Sequence, residues 1–166
     1  MIKRGKAFVF GNNVDTDQIY PGQYLDLVDP EDVALHALEG ADENFIKEVQ
    51  EGDIVVAGTN FGCGSSREYA PMSIKGAKVS VVIAESFARI FFRNSMNVAL
   101  PVIVCKGIIS KVDKGDILSV DLTTSIITNE TTGEKIQGEE ISEYAREIIE
   151  SGKDIKAFVL NRKLNK

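Results

Sequence analysis

The sequence predicts an α/β fold, and three observations carry that reading. Short continuous apolar runs stand where buried strands would lie: Asp53 to Gly58, Val79 to Ala84 and Leu100 to Cys105. Helix-like segments separate them, Glu68 to Lys75 closed by Gly76 and Phe87 to Asn94 preceded by Ser86 as a cap. Strand, glycine loop, helix, strand, helix, strand is the order of apolar strands covered on both faces.

The remaining elements follow in order. Lys6 to Phe10 reads as a short strand stopped by Gly11-Asn12-Asn13. Val14 to Leu27 is irregular, with turn chemistry at Asp15-Thr16-Asp17 and Tyr20-Pro21-Gly22. Pro30 to Leu38 suits a helix, with proline in its first turn and Gly40 just past its end. Ala41 to Val49 suits a second short helix. The last third alternates, at Asp116 to Leu122 and at Ser125 to Thr128. Thr132-Gly133 makes a turn and Glu134 to Gln137 pairs back, an antiparallel set with one wet face. Ile141 to Ile149 is an amphipathic helix with Gly152 as its C-cap. The tail from Lys153 is basic and expected to fray. No linker or repeat interrupts the chain, so residues 1–166 are expected to form one domain.

Composition narrows the function. Charged residues make up 27% and apolar ones 43%, the balance of a soluble globular protein. No apolar run approaches a membrane span, and nothing after Met1-Ile2-Lys3-Arg4 resembles a signal peptide, so a cytoplasmic location is expected. The net charge of −6 and the lack of a basic tract argue against nucleic-acid binding. Cys63 and Cys105 are the only cysteines and His36 the only histidine. That set builds neither a thiolate–imidazole zinc site nor an iron–sulfur cluster, and both cysteines are expected to pack as small apolar groups. His36 has no triad partners around it.

The segment Asn60-Phe61-Gly62-Cys63-Gly64-Ser65-Ser66-Arg67-Glu68-Tyr69 is the candidate site. It supports two readings. Ser65 to Glu68 fits a helix capping box, with Gly62 and Gly64 supplying positive φ angles. The same segment also suits an anion site, where amides at a helix N-terminus and the planar fork of Arg67 meet a carboxylate. It lacks the lysine of a Walker loop, and its serine is offset from the G-x-S-x-G position.

Two blocks, "GNNVDTDQIYPGQYL" at 11–25 and "NFGCGSSREYAPMSIKGAKVSVVIAESFARIFFRNSMNVALP" at 60–101, resemble the 3-isopropylmalate dehydratase small-subunit family. That family is similar to the mobile fourth domain of aconitase. The resemblance implies a three-layer swivelling β/β/α domain and a hydro-lyase of leucine biosynthesis that interconverts 2- and 3-isopropylmalate by dehydration and rehydration. It implies that Ser65 is the catalytic base, that Ser66 and Arg67 bind a substrate carboxylate beside Gly64, and that Asp17 pairs with a histidine of the cluster-bearing part.

It further implies that no cofactor is held by this chain. A [4Fe-4S] cluster is expected on a large partner subunit, with a small dicarboxylate as substrate. Activity would require the partner, and self-association of the isolated chain stays open.

The chemistry agrees with those implied roles. Removing a proton α to a carboxylate needs a cation and amides facing the developing charge. Expelling hydroxide needs a Lewis acid. The chain offers the first set and lacks the second. The resemblance further implies that substrate choice lies at Leu25, Asp26, Leu27 and Val28. Homoaconitase small subunits tend to carry arginine where Asp26 stands, and a carboxylate there repels a third substrate carboxylate. Isopropylmalate is therefore favoured over homoaconitate, while dimethylmalate, methylmalate and citraconate stay open. A stand-alone carboxylate-binding module is the reading from another class. Tyr69 departs from the histidine common after the S-S-R-E run. Arg89 and Arg93, one helical turn apart, suit a solvated face or added positive potential near the site.

Overall fold

The computed structural model describes residues 1–166. Seven strands form one mixed sheet: β1 (Ile2–Val9), β2 (Ile54–Ala57), β3 (Val81–Ala84), β4 (Val102–Val104), β5 (Ile117–Asp121), β6 (Ile126–Asn129) and β7 (Glu134–Gln137). Their order is β4-β3-β2-β1-β5-β6-β7. The first four run parallel and the last three antiparallel, as the switch from continuous apolar runs to alternation requires.

β1 belongs to both halves. Its first residues, Ile2 to Lys6, pair with β5, and Ala7 to Val9 pair with β2. The handover is pinned by Asp53, whose carboxylate accepts from the Lys6 amide at 3.0 Å and the Gln50 amide at 2.8 Å. Gly5 is required there, because a Cβ would stand 2.2 Å from the Gly52 carbonyl oxygen. The far edge is also closed: Glu139 donates its amide to the Val104 carbonyl at 2.8 Å, so the segment after β7 folds over β4.

Helices occupy the intervals: α1 (Thr16–Ile19), α2 (Pro30–Ala34), α3 (Phe45–Glu48), α4 (Tyr69–Gly76), α5 (Arg89–Asn97), α6 (Glu143–Ser151) and α7 (Ile155–Leu164). The central parallel strands β2 and β3 are buried on both faces. Phe8, Val55, Ala57, Val82 and Ala84 join one core beneath α1 to α5. Ala7, Ile54, Val56, Val81 and Ile83 join the second, inside the antiparallel half and α6. Alternate residues of each strand therefore serve different cores.

Several expected boundaries shift. The helices expected at 30–38 and 41–49 shrink to Pro30–Ala34 and Phe45–Glu48, because Leu38 takes φ +56° and its amide turns to the Ile19 carbonyl at 2.7 Å. The strand at 79–84 starts only at Val81, since the Ser80 hydroxyl bonds to the Gly52 carbonyl at 2.8 Å. Ser86 does not cap a helix at Phe87; its hydroxyl accepts from the Asn60 amide at 2.7 Å, and α5 begins at Arg89. The basic tail forms α7, capped by Asp154 accepting from the Ala157 amide at 2.8 Å. No helix is long and apolar enough to cross a membrane.

Candidate functional site

The carboxyl ends of β1, β2 and β3 lie side by side, and the segments leaving them stay zipped together. Asn13 donates its amide to Thr59, Gly62 to Val14 and Thr16 to Cys63, each at 2.8 Å. On the other side Phe61 donates to Ser86 at 3.0 Å and Ala88 to Phe61 at 2.9 Å. The loop after β2 is thus the centre of a three-segment ladder that outlasts the regular sheet. Gly62 makes this possible: at φ +83° it passes over the Phe91 ring so closely that a Cβ would sit 2.3 Å from Phe91 Cβ and Cγ. Gly64, at φ +96°, completes the turn.

The capping box lies elsewhere than the serine loop. It forms at Asp15, which accepts from the Gln18 amide at 2.8 Å while the Gln18 side chain accepts from the Asp15 amide at 2.9 Å. In the serine loop α4 starts at Tyr69, three residues later than a Ser65 cap requires, and Glu68 caps it without a side-chain bond. The loop therefore runs on past both serines before the helix begins. Gly64, Ser65 and Ser66 are exposed. Neither serine hydroxyl is spent on capping.

Two loops converge on this point. Thr16 donates its hydroxyl to the Ser65 carbonyl at 2.8 Å. Arg67 turns away from its own helix and donates from Nη1 to Asp17 Oδ1 at 2.7 Å and to the Tyr20 carbonyl at 2.9 Å. The Gly22 amide donates to the same Oδ1 at 3.0 Å. The guanidinium and this amide hold the Asp17 carboxyl below the usual carboxylate range. Asp17, implied by the resemblance, is thus joined to Arg67, the residue that follows Gly64, Ser65 and Ser66 in the second loop. Thr16, the Tyr20 carbonyl and Gly22 were not singled out from the sequence for the site, because each contact joins a backbone group to a side chain whose place only the folded loops decide.

The neighbouring loop divides. Leu25, Asp26 and Val28 are exposed, while Leu27 turns back to pack on the core and so is partly structural. Behind the loop Tyr24 stacks on His36, ring centroids 3.5 Å apart, and Tyr20 donates its hydroxyl to the Tyr24 carbonyl at 2.6 Å. His36 Nδ1 lies 3.3 Å from Glu39. The lone histidine is thus bound up in supporting the loop. Tyr69 packs against Tyr20 at 5.6 Å. Arg89 and Arg93 are exposed on α5. Cys63 is half-buried and Cys105 buried, where desolvation raises its thiol pKa.

No three His, Cys, Asp or Glu side chains are grouped to hold a metal ion, so the residues present do not fit an iron–sulfur cluster. Five surface cavities are lined by residues other than Ser65, Ser66 and Arg67, one of them by Asp17, Tyr24 and Glu39 among others. The serine–arginine surface is open.

A mixed sheet with helices over its parallel half, and with serine hydroxyls, an arginine and an aspartate in the loops at the carboxyl ends of its parallel strands, defines an α/β domain. Residues 12–106 match the family described as Aconitase C-terminal domain. The isopropylmalate/citramalate isomerase small subunit of Methanocaldococcus jannaschii is 56% identical over 151 residues, covering 91% of this chain and 90% of that protein. The 3-isopropylmalate dehydratase small subunit of Methanosarcina mazei is 51% identical, covering 90% and 91%. The crystal structure of 3-isopropylmalate dehydratase (leuD) from M. jannaschii superposes with a TM-score of 0.93 at 45% identity, covering 99% of this chain and 96% of that one. The chain belongs to the Aconitase C-terminal domain family and, within it, to the 3-isopropylmalate dehydratase small subunits.

Proposed function

We propose that this chain is the small subunit of a hydro-lyase that interconverts 2- and 3-isopropylmalate, with Ser65 as base and Arg67, Ser66 and the Gly64 segment as the seat of a substrate carboxylate. One observation carries the reading: Ser65 and Ser66 stand exposed ahead of α4, their hydroxyls free of the capping role their spacing suggested, beside a clamped guanidinium.

Abstraction of the proton α to a carboxylate by Ser65 is helped by the positive charge of Arg67, which favours both the alkoxide and the developing enediolate. Ser66 is suited to donate to the same carboxylate. Asp17 keeps an exposed carboxylate, with the side chain 66% accessible, for a histidine of the large subunit. The departing hydroxide needs a Lewis acid, and this reading takes it from a [4Fe-4S] cluster on that subunit.

An open surface supports the same division of labour. Such chemistry proceeds in a site closed to bulk water, and a second chain would supply the missing wall. Leu25 and Val28 are then the side chains available to an isopropyl group. A smaller alkyl group fits the same apolar surface, and the name of the M. jannaschii relative makes citramalate the second substrate to test. Homoaconitate and dimethylmalate complete the panel. We place the enzyme in the cytoplasm, with leucine biosynthesis as its pathway.

The test is assembly with a cluster-bearing large subunit and assay of each diacid. Turnover of 2-isopropylmalate that is lost in Ser65→Ala supports the reading. Normal turnover by the Ser65→Ala complex removes the base. Failure to bind any large subunit, with retained carboxylate binding, would favour a stand-alone module.

A further inference from the structure

We propose that Asp17 is a positioning residue: it locks Arg67 through Nη1 and so presents the Nε–Nη2 edge of the guanidinium as the fork for a substrate carboxylate. This rests on the assignment of Arg67 to carboxylate binding above. It concerns which edge of the arginine is used and what sets it.

Nη1 has two hydrogens. One goes to Asp17 at 2.7 Å and the other to the Tyr20 carbonyl at 2.9 Å. Both acceptors lie in the β1 loop, so the guanidinium is held across the gap between two loops. The bonds that Arg67 makes within the chain spend Nη1 and leave Nε and Nη2 free. One N–H from each of those atoms points the same way, the geometry that matches the two oxygens of a carboxylate.

Gly22 lies against that edge without a side chain to fill it. Its amide shares Asp17 Oδ1 at 3.0 Å, and a Cβ at this position would stand 3.3 Å from Nη2. A side chain there would crowd the fork. The arginine side chain is only 18% accessible while the aspartate is 66% accessible. Arg67 is therefore seated by its surroundings, and Asp17 fixes its rotation from the open side. Bound by two donors, the aspartate stays an anion at neutral pH and acts as acceptor, with no proton to give.

The experiment uses the chain assembled with its large subunit, 2-isopropylmalate as substrate, and the variants Asp17→Ala, Asp17→Asn, Arg67→Lys and Ser65→Ala. Loss of one charge-assisted bond raises KM about tenfold in Asp17→Ala, with a smaller fall in kcat. Asp17→Asn keeps an oxygen acceptor and brings KM back to within about threefold of wild type. In the isolated chain, nitrogen-15 NMR shows slow rotation about the Arg67 Cζ–Nη1 bond, and fast rotation in Asp17→Ala.

Two results overturn the proposal. One is an unchanged KM with unchanged Arg67 rotation in Asp17→Ala. The other is a fall confined to kcat in which Asp17→Asn is no better than Asp17→Ala, the mark of a group that handles a proton. Wild-type kinetics in Arg67→Lys and Ser65→Ala would instead overturn the site assignment itself, whatever Asp17 does.

Discussion

The Thr16 hydroxyl donates to the Ser65 carbonyl across 2.8 Å, so the residue assigned as base is held from the β1 loop and not from its own helix. Thr16 is buried, and its amide also donates to Cys63 at 2.8 Å. Thr16→Val keeps the shape and removes only the hydroxyl bond. It is expected to cost about 1 kcal/mol of stability and to lower kcat with little change in KM. Urea unfolding and steady-state kinetics check both; an unchanged kcat would show that Ser65 is placed without this bond.

Gly62→Ala is expected to be far more damaging. The backbone sits at φ +83° and the new methyl collides with Phe91 at 2.3 Å. Strain and overpacking together cost about 3 kcal/mol or more. A melting temperature within a degree of wild type would contradict the close approach of loop and α5.

Asp26→Arg tests the specificity loop. Asp26 is exposed, so the change does not touch the core. Replacing a negative by a positive charge is expected to lower kcat/KM for isopropylmalate and raise it for a substrate with a third carboxylate, such as homoaconitate. Parallel changes for both substrates would place the loop away from the bound side chain.

The Asp17 carboxyl lies below the ordinary value of 3.8 because Arg67, and then the Gly22 amide, bind the anion. Asp116 and Asp121 are lowered too, first by the Asp113 and Thr123 amides respectively. A lowered folded value means that the unfolded chain binds the proton more tightly. Their contribution is complete above about pH 4 and is lost as pH falls through the lowered values. The isolated chain is expected to lose stability from these groups only below about pH 4, measured by denaturant midpoints across pH. A fall already between pH 7 and 5 would have to come from other groups.

Removal of residues 153–166 is expected to leave a folded chain. α7 contributes no buried residue and meets α6 through Tyr144 and Phe158, whose ring centroids are 5.9 Å apart. A modest loss of about 1–2 kcal/mol is the size expected of a partly exposed contact. Aggregation or loss of the near-ultraviolet circular dichroism signal would show that α7 holds α5 and α6 in place.

Much of this was legible in the residues. Periodicity located the strands, since a strand buried on both faces must read as an unbroken apolar run and a half-wet one must alternate; β1, however, was expected only from Lys6 and starts at Ile2, where its polar first half is held by pairing with β5. Helix ends were less legible. Leu38 at positive φ and Ser86 bonded to Asn60 are decided by partners more than eighteen residues away, which no local window contains. Ser65 to Glu68 met the rule for a capping box, yet α4 starts later because Arg67 is drawn to Asp17 fifty residues earlier in the chain.

By itself the sequence determined the strand and loop chemistry: which runs are apolar enough to be buried, where glycine allows a tight approach, and that two serines and an arginine stand together between a strand and a helix. Those are local properties of side-chain size, polarity and backbone freedom. Only the tertiary structure decided that Thr16 anchors Ser65, that Asp17 and the Tyr20 carbonyl occupy one nitrogen of Arg67, and that Leu27 serves the core while its neighbours face outward. Such facts depend on how the parallel strands bring the β1 and β2 loops into register, and hydrogen-bond geometry between distant segments is fixed only once the sheet has formed.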